Sequence, residues 1–237
     1  MKEFLKISDR IFEDLLLQIF GGSGIPFLIA KATLETLYMV GFSVLFAIIF
    51  GLPLGIFLAL TRKDGIKPLP AVNHFLSVLV NLIRSFPFII LILVILPFSN
   101  FLIGISTGST AAIIPLSIAA IPFIARLFEG AFLEIKKDLI EATQSMGANL
   151  YTIIKMMIAE AKPALINCVI ITLVSLVGYS AMAGVVGAGG LGDLAYRLGF
   201  QSFKVDILLY SVLVIIILVQ IIQSIGDMIV KMARKYY

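Results

Sequence analysis

The feature that most constrains this chain is a run of 25 residues without a charged side chain, Leu37 to Thr61. About 20 predominantly apolar residues are enough for a helix to cross the hydrocarbon layer of a membrane. The whole chain of 237 residues is 60% hydrophobic and only 14% charged, whereas soluble domains are typically about 45–50% apolar and about 25% charged. Such a chain has too little polar surface to cover a water-soluble core. The sequence therefore predicts an all-α integral membrane protein.

Four more apolar segments follow the first one. We expect five transmembrane helices per subunit, at about residues 37–61, 71–97, 110–128, 164–192 and 207–225. These spans define a transmembrane domain over residues 31–237. Residues 1–30 begin with charges that alternate with apolar residues and carry no cleavable signal pattern. They are interpreted as an amphipathic or interfacial segment.

The distribution of basic residues predicts the orientation in the membrane. Of the 18 Lys and Arg residues, eleven lie in the loop after span one, in the loop after span three and in the C-terminal tail. The loop 99–109 on the opposite side contains none. Because cytoplasmic loops are enriched in Lys and Arg, we expect the N-terminus outside and the C-terminus inside.

Arg84 is the one charge well inside a predicted span, and it is followed by Ser85 and Pro87. A charged group in lipid is costly, so Arg84 should face protein, water or headgroups. The proline suggests a broken or kinked helix. We interpret these three residues as part of a translocation path or an inter-helix contact; the alternative is an arginine that extends from a span end to the interface.

Glycines mark two further places. Gly51 and Gly55 lie four residues apart, a spacing that allows close helix packing. Span four ends in a glycine-rich stretch, 178–192, where a helix would break, pack tightly or move. Its candidate residues for a path wall or gate are Tyr179, Ser180, Met182 and Gly184. A tight packing seam is the alternative.

The segment 138–160 between spans three and four is polar and is placed in the cytoplasm. The spacing of Asp138 and Glu141 predicts a helix N-terminus. Gly147 should end that helix, and Asn149 should cap a second, amphipathic one. Such a two-helix element can dock on another protein or lie on the bilayer surface, and physical chemistry alone leaves both open.

Enzyme chemistry finds no support in the sequence. It contains no Walker A, HExxH or GxSxG motif, and its single cysteine, Cys168, lies in an apolar run. We therefore expect no catalytic residue, no metal site and no cofactor on this chain.

The stretch EATQSMG, residues 141–147, resembles the EAA loop of ABC importer permeases. Glu141, Ala142 and Gly147 match that loop in identity and spacing, and Thr143 replaces its second alanine. The later part, MMIAEAKP, departs from the family pattern because it lacks Leu-Pro. The segments 176–199 and 83–98 closely resemble the methionine-importer permease subfamily, and the similarity covers residues 30–237.

The resemblance implies a multi-pass permease of the bacterial inner membrane that forms a homodimer around a path for D- and L-methionine. It implies two cytoplasmic ABC ATPase subunits that bind ATP and Mg, and an extracytoplasmic substrate-binding lipoprotein. It also assigns the EAA-like loop as the ATPase-coupling element. Glu141, Ala142 and Gly147 are carried over by match, and Met146 and Ala148 are added as their neighbours.

Three other readings remain open at this point. The chain could be an importer permease for another amino acid or small solute. A stand-alone secondary transporter or channel would favour ionisable residues in several spans and internal repeats, and the sequence has one such arginine and no obvious repeat. A membrane scaffold that uses the cytoplasmic helix for docking would not need the glycine-rich break.

Overall fold

The structure, a computed structural model, describes residues 24–104 and 107–235, and every regular element in these residues is helical. The all-α expectation is confirmed. The expected N-terminal segment 1–30 lies outside the described residues except for its last few residues. The helices are α1 (Ile25–Thr61), α2 (Pro70–Ser85), α3 (Phe88–Ile103), α4 (Ser109–Leu133), α5 (Lys137–Ser145), α6 (Leu150–Glu160), α7 (Lys162–Val185), α8 (Gly190–Asp193) and α9 (Val205–Lys235), with a π-helical segment Leu194–Gln201 between α8 and α9.

Four of these helices, α1, α4, α7 and α9, are long and apolar enough to cross a membrane. The predicted second span is a pair of helices, α2 and α3, which meet at an angle of 100°. Counting this bent pair as one span gives five. The break lies at Phe86 and Pro87, where Phe86 has extended backbone, as a residue before proline prefers. The predicted break at Pro87 is confirmed, and it divides the predicted span 71–97 into two helices.

Several helices extend beyond the predicted spans. α1 begins at Ile25 instead of residue 37, α4 continues to Leu133, and α9 continues to Lys235. The prediction counted apolar residues, which mark only the part of a helix that lies in hydrocarbon. Helical hydrogen bonds continue past that layer, where charged side chains reach water.

The fourth predicted span, 164–192, is too long at its end because α7 stops at Val185. The chain then turns through Gly187 and Gly189, which have φ angles of +87° and +80°. L-residues with a Cβ atom rarely adopt such angles. The glycine-rich stretch therefore breaks the helix and reverses the chain into α8.

Among the described residues, α1 and α4 form the most extensive helix–helix contact. A Cβ atom added to Gly55 would lie 2.8 Å from the carbonyl oxygen of Ala125 and 2.8 Å from Cβ of Phe128. Gly51 meets Ile124 in the same way. The two glycines therefore serve packing within the chain, because they let the backbones of α1 and α4 approach.

The main core surrounds this contact and continues into the polar loop. It includes Met39, Leu116, Phe128 and Leu176 from the long helices, and it extends to Met157 of α6. α6 and α7 are separated by the single residue Ala161, whose N–H donates to Met157 O and whose carbonyl accepts from Leu165 N–H. The loop and α7 are thus joined without a flexible linker.

We expect the substitution Gly55→Ala to destabilise the protein by about 1–3 kcal/mol, because the added methyl group would force α1 away from α4. Gly41→Ala is the matched control, since Gly41 lies on the same helix with nothing within 4 Å of an added Cβ. The control should be neutral or stabilising by up to about 1 kcal/mol, since Ala is the better helix former. Thermal unfolding in detergent measures both, and equal midpoints would contradict the proposed contact.

Candidate functional site

The polar segment between α4 and α7 folds as two short helices, as the sequence predicts. α5 is preceded by Lys136 and makes no side-chain cap, so the predicted capping box of Asp138 and Glu141 is wrong. The helix begins earlier than expected, and Asp138 falls inside its first turn. There its carboxylate still interacts favourably with the positive end of the helix dipole.

The turn between α5 and α6 has the predicted geometry. Gly147 has φ +77°, and its N–H donates to Gln144 O at 2.9 Å. Asn149 caps α6, because its Oδ1 accepts hydrogen bonds from the backbone N–H and the hydroxyl of Thr152, both at 2.9 Å. The predictions for Gly147 and Asn149 are confirmed. In this turn a glycine with left-handed backbone ends α5, and α6 begins three residues later at Leu150.

The apolar face of α6 packs on the protein itself. Ile153 and Met157 are only 3% and 4% exposed and belong to the main core, and Leu150 and Ile154 pack against it. A helix whose apolar side is covered in this way has no such side left to bury in the bilayer surface. The structure thus removes the physical reason for the membrane-surface reading and leaves the docking reading.

The residues assigned to coupling lie at the tip of this anchored loop. Glu141, Ala142 and Gly147 are exposed, Met146 is 80% exposed, and Ala148 is half-buried. Tyr151, which the sequence reasoning did not single out, is 75% exposed on the next helix. The tip therefore exposes two large side chains, Met146 and Tyr151, on a base that is anchored in the core.

One side of α5 borders a cavity of about 520 Å³. Glu141 and Gln144 line it from α5, and Arg62 and Asp64 line it from the turn after α1. Phe132 and Met157 contribute apolar surface. α5 is therefore not covered by other parts of the chain on the side that faces this cavity.

The residues expected to line a path differ in their exposure. Arg84, Ser85, Pro87 and Met182 are exposed, and Tyr179 is half-buried. Arg84 lies 6.0 Å from the centre of the Phe123 ring of α4, within reach of a cation–π contact. The prediction that Arg84 faces protein or water is compatible with this position, and its role in transport stays a prediction.

The candidate residues on α7 also differ in what they contact. Ser180 is buried and donates to Val177 O at 2.8 Å, so its hydroxyl is used within its own helix. Gly184 is buried against α8, in a packing seam. Tyr179 stacks on Phe88 at the start of α3, with ring centres 4.7 Å apart and planes at 11°. The break in the second span therefore contacts α7, which the sequence did not reveal.

Sequence reasoning also missed an ion pair inside α4. Arg126 pairs with Glu129, a buried residue one turn further along, and also donates to Asn81 Oδ1 of α2 at 3.3 Å. The spacing i, i+3 of opposite charges was a signal for this pair, but Arg126 lies at the end of the predicted span and Glu129 just beyond it. Among the described residues, no group of three or more His, Cys, Asp or Glu side chains could hold a metal ion.

Comparison with known proteins places this geometry in a family. Residues 51–235 match the family model of the inner membrane component of binding-protein-dependent transport systems. A probable D-methionine transport system permease protein of Vibrio cholerae is 49% identical over 205 residues, which cover 86% of this chain and 91% of that protein. The methionine import system permease protein of Bacillus subtilis is 46% identical over 206 residues, 86% of this chain and 93% of that protein.

A solved structure agrees with these relatives. The chain superposes on an inward-facing structure of the MetNI methionine ABC transporter with a TM-score of 0.87 and 41% identity, covering 90% of this chain and 99% of that one. The resemblance to ABC importer permeases seen in the loop and in the glycine-rich stretch is thus confirmed. The chain belongs to the family of inner-membrane components of binding-protein-dependent transport systems.

Proposed function

We propose that this chain is the permease subunit of an ATP-driven importer and that methionine is its substrate. The observation that carries the proposal is the similarity of 46–49% identity, over nearly the whole chain, to permeases named for methionine transport. The anchored loop with its exposed tip supports the mechanism. It provides a rigid element through which movement of another protein can reach the membrane helices.

We infer that two copies of the chain enclose the route. α2 has a single buried residue, Val80, among its 16, so it hardly packs on its own chain. Its last turn carries the exposed Arg84, which would be costly to hold against lipid. A position against a second copy, or against water between two copies, satisfies both the apolar and the charged side chains of this helix.

The loop tip is the proposed docking site for a cytoplasmic ABC ATPase, which binds ATP and Mg. Met146 supplies an exposed apolar anchor, and Gly147 sets the angle between α5 and α6. Glu141, Ala142 and Ala148 complete the surface around them. In this mechanism an extracytoplasmic binding lipoprotein delivers methionine. Closure of two ATPase subunits moves the loops and, through Ala161, the attached α7 helices.

We expect Gly147→Val to lower ATPase association and methionine uptake by about tenfold or more. The left-handed backbone costs a residue with a Cβ atom about 1–2 kcal/mol, and about 1.4 kcal/mol corresponds to tenfold. An added Cβ at Gly147 would meet nothing within 4 Å. The substitution therefore tests the left-handed backbone conformation and does not introduce a steric clash. Co-purification of the ATPase and uptake in vesicles measure the effect.

Two variants serve as controls for this experiment. Gly147→Asn should retain most activity, because Asn tolerates the left-handed conformation. Gly130→Ala changes another glycine with open space around it, at an ordinary helical φ, and should have no effect. If Gly147→Val retains both association and uptake, the coupling assignment is wrong.

Substrate identity is tested with vesicles that contain the permease, its ATPase and its binding protein. We expect saturable, ATP-dependent uptake of labelled D- and L-methionine, with little competition from other unlabelled amino acids. Omitting the ATPase should abolish uptake, which separates an importer from a stand-alone transporter or channel. Saturable uptake of another solute without uptake of methionine would reject the substrate and retain the importer class.

A further inference from the structure

The turn that follows the far end of α7 is held by side chains of α1. The chain leaves α7 at Val185 and re-enters a helix at Gly190, after the turn through Gly187 and Gly189. The first N–H groups of a helix have no partner inside that helix. At a site buried in protein or lipid these groups need acceptors from elsewhere.

Two neighbouring residues of α1 supply the acceptors. Glu35 Oε2 accepts a hydrogen bond from Gly190 N–H at 2.7 Å, and Thr36 Oγ1 accepts one from Leu191 N–H at 2.9 Å. Thr36 is 2% exposed and Leu191 1% exposed, so water does not compete for this bond. The Thr36 hydroxyl also donates to Ala32 O at 3.0 Å, which fixes its orientation.

The glycines let the backbone reach these acceptors. A Cβ on Gly190 would lie 2.7 Å from Thr36 Oγ1 and 2.8 Å from Met39 Cε. A Cβ on Gly189 would lie 2.9 Å from Glu35 Oε2. Both residues also have positive φ. The contact thus depends on glycine at two positions for close approach as well as for backbone conformation.

The same turn is bound on its other sides. A Cβ on Gly184 would lie 2.8 Å from Cα of Gly192, so α8 rests directly on the last turn of α7. Gly108, at the start of α4, donates its N–H to Gly187 O at 3.0 Å. A small separate core joins α1, α8 and α9, and it consists of Ala32, Leu191, Leu194 and Ile207.

We propose that Glu35 and Thr36 form a latch, a pair of positioning residues that makes α1, the glycine turn and the far end of α7 move as one unit during transport. α7 has 24 residues and is about 36 Å long at 1.5 Å per residue. The coupling loop is attached at its start, and the latch holds its other end. A push on the start of α7 therefore cannot make its far end slide along α1.

The latch also sets the position of candidate path residues. Tyr179 and Met182 lie within the last two turns of α7, and Tyr179 stacks on Phe88 beside the break in the second span. Without the two hydrogen bonds, the glycine turn would separate from α1. The last turns of α7 would then no longer follow the movement of the loop.

The test pairs each disruptive substitution with a conservative one. Thr36→Val keeps the shape of the side chain and removes the acceptor, whereas Thr36→Ser keeps the hydroxyl. Glu35→Ala removes the carboxylate, whereas Glu35→Gln keeps an oxygen that can accept from Gly190 N–H. If Thr36→Val does not fold, the Glu35 pair tests the same contact at a half-buried position.

The first measurement is hydrogen–deuterium exchange of peptides from residues 186–194 in the purified full-length chain. We expect Thr36→Val and Glu35→Ala to accelerate exchange at Gly190 and Leu191 by about tenfold or more, because local opening governs exchange. Thr36→Ser and Glu35→Gln should remain within about twofold of the unmodified chain, since the acceptors persist. Unchanged exchange in both disruptive variants would overturn the latch.

The second measurement rests on the proposed function and is the number of methionine molecules imported per ATP hydrolysed by the assembled complex. We expect the disruptive variants to lower this ratio by about fivefold, the size of a coupling free energy near 1 kcal/mol, and the conservative variants to restore it. A purely structural role would lower the amount of complex but leave the ratio unchanged, and that result would overturn the proposal. If the unmodified complex imports no methionine, the proposed function fails, and the exchange measurement alone decides the latch.

Discussion

An unpaired backbone N–H is costly inside a bilayer, and this requirement controls where the helices of this chain can be interrupted. Two sharp helix breaks in the described residues illustrate this requirement. At the first, Pro87 has no N–H to satisfy, and Phe86 donates back to Ile83 O. At the second, Glu35 and Thr36 accept the N–H groups of Gly190 and Leu191. At both breaks, groups of the same chain thus compensate for the lost helical hydrogen bonds.

Small residues perform a second task, which is helix packing. Gly51 and Gly55 bring α1 against α4, while Gly184 and Gly192 bring α7 against α8. The hydrophobic effect contributes little to helix association in lipid, so close van der Waals packing must stabilise these contacts. α1 takes part in both the α4 contact and the latch. It is therefore the common support for the helix that precedes the coupling loop and for the far end of the helix that follows it.

Much of this architecture could be predicted from local sequence, and the failures have a common cause. Apolar length gave the spans, and local turn chemistry gave the positive φ of Gly147 and the cap at Asn149. The span ends were misplaced because a count of apolar residues marks only the part of a helix that lies in hydrocarbon. The helices themselves end where the backbone conformation changes. The Glu35 and Thr36 contacts join residues 155 positions apart. The Tyr179–Phe88 stack also joins different helices. No local pattern reports such pairs, and only the fold brings them together.

The direct junction of α6 and α7 has a mechanical consequence. Ala161 is the one residue between them, and Pro163 stiffens the first turn of α7. On the other side, residues 134–136 connect α4 to α5 outside any helix. Ile135 of this connection is buried in the main core, so the loop is anchored at both of its ends. A displacement of its tip should therefore pass directly into α7, and the loop cannot swing away from the membrane helices on its own.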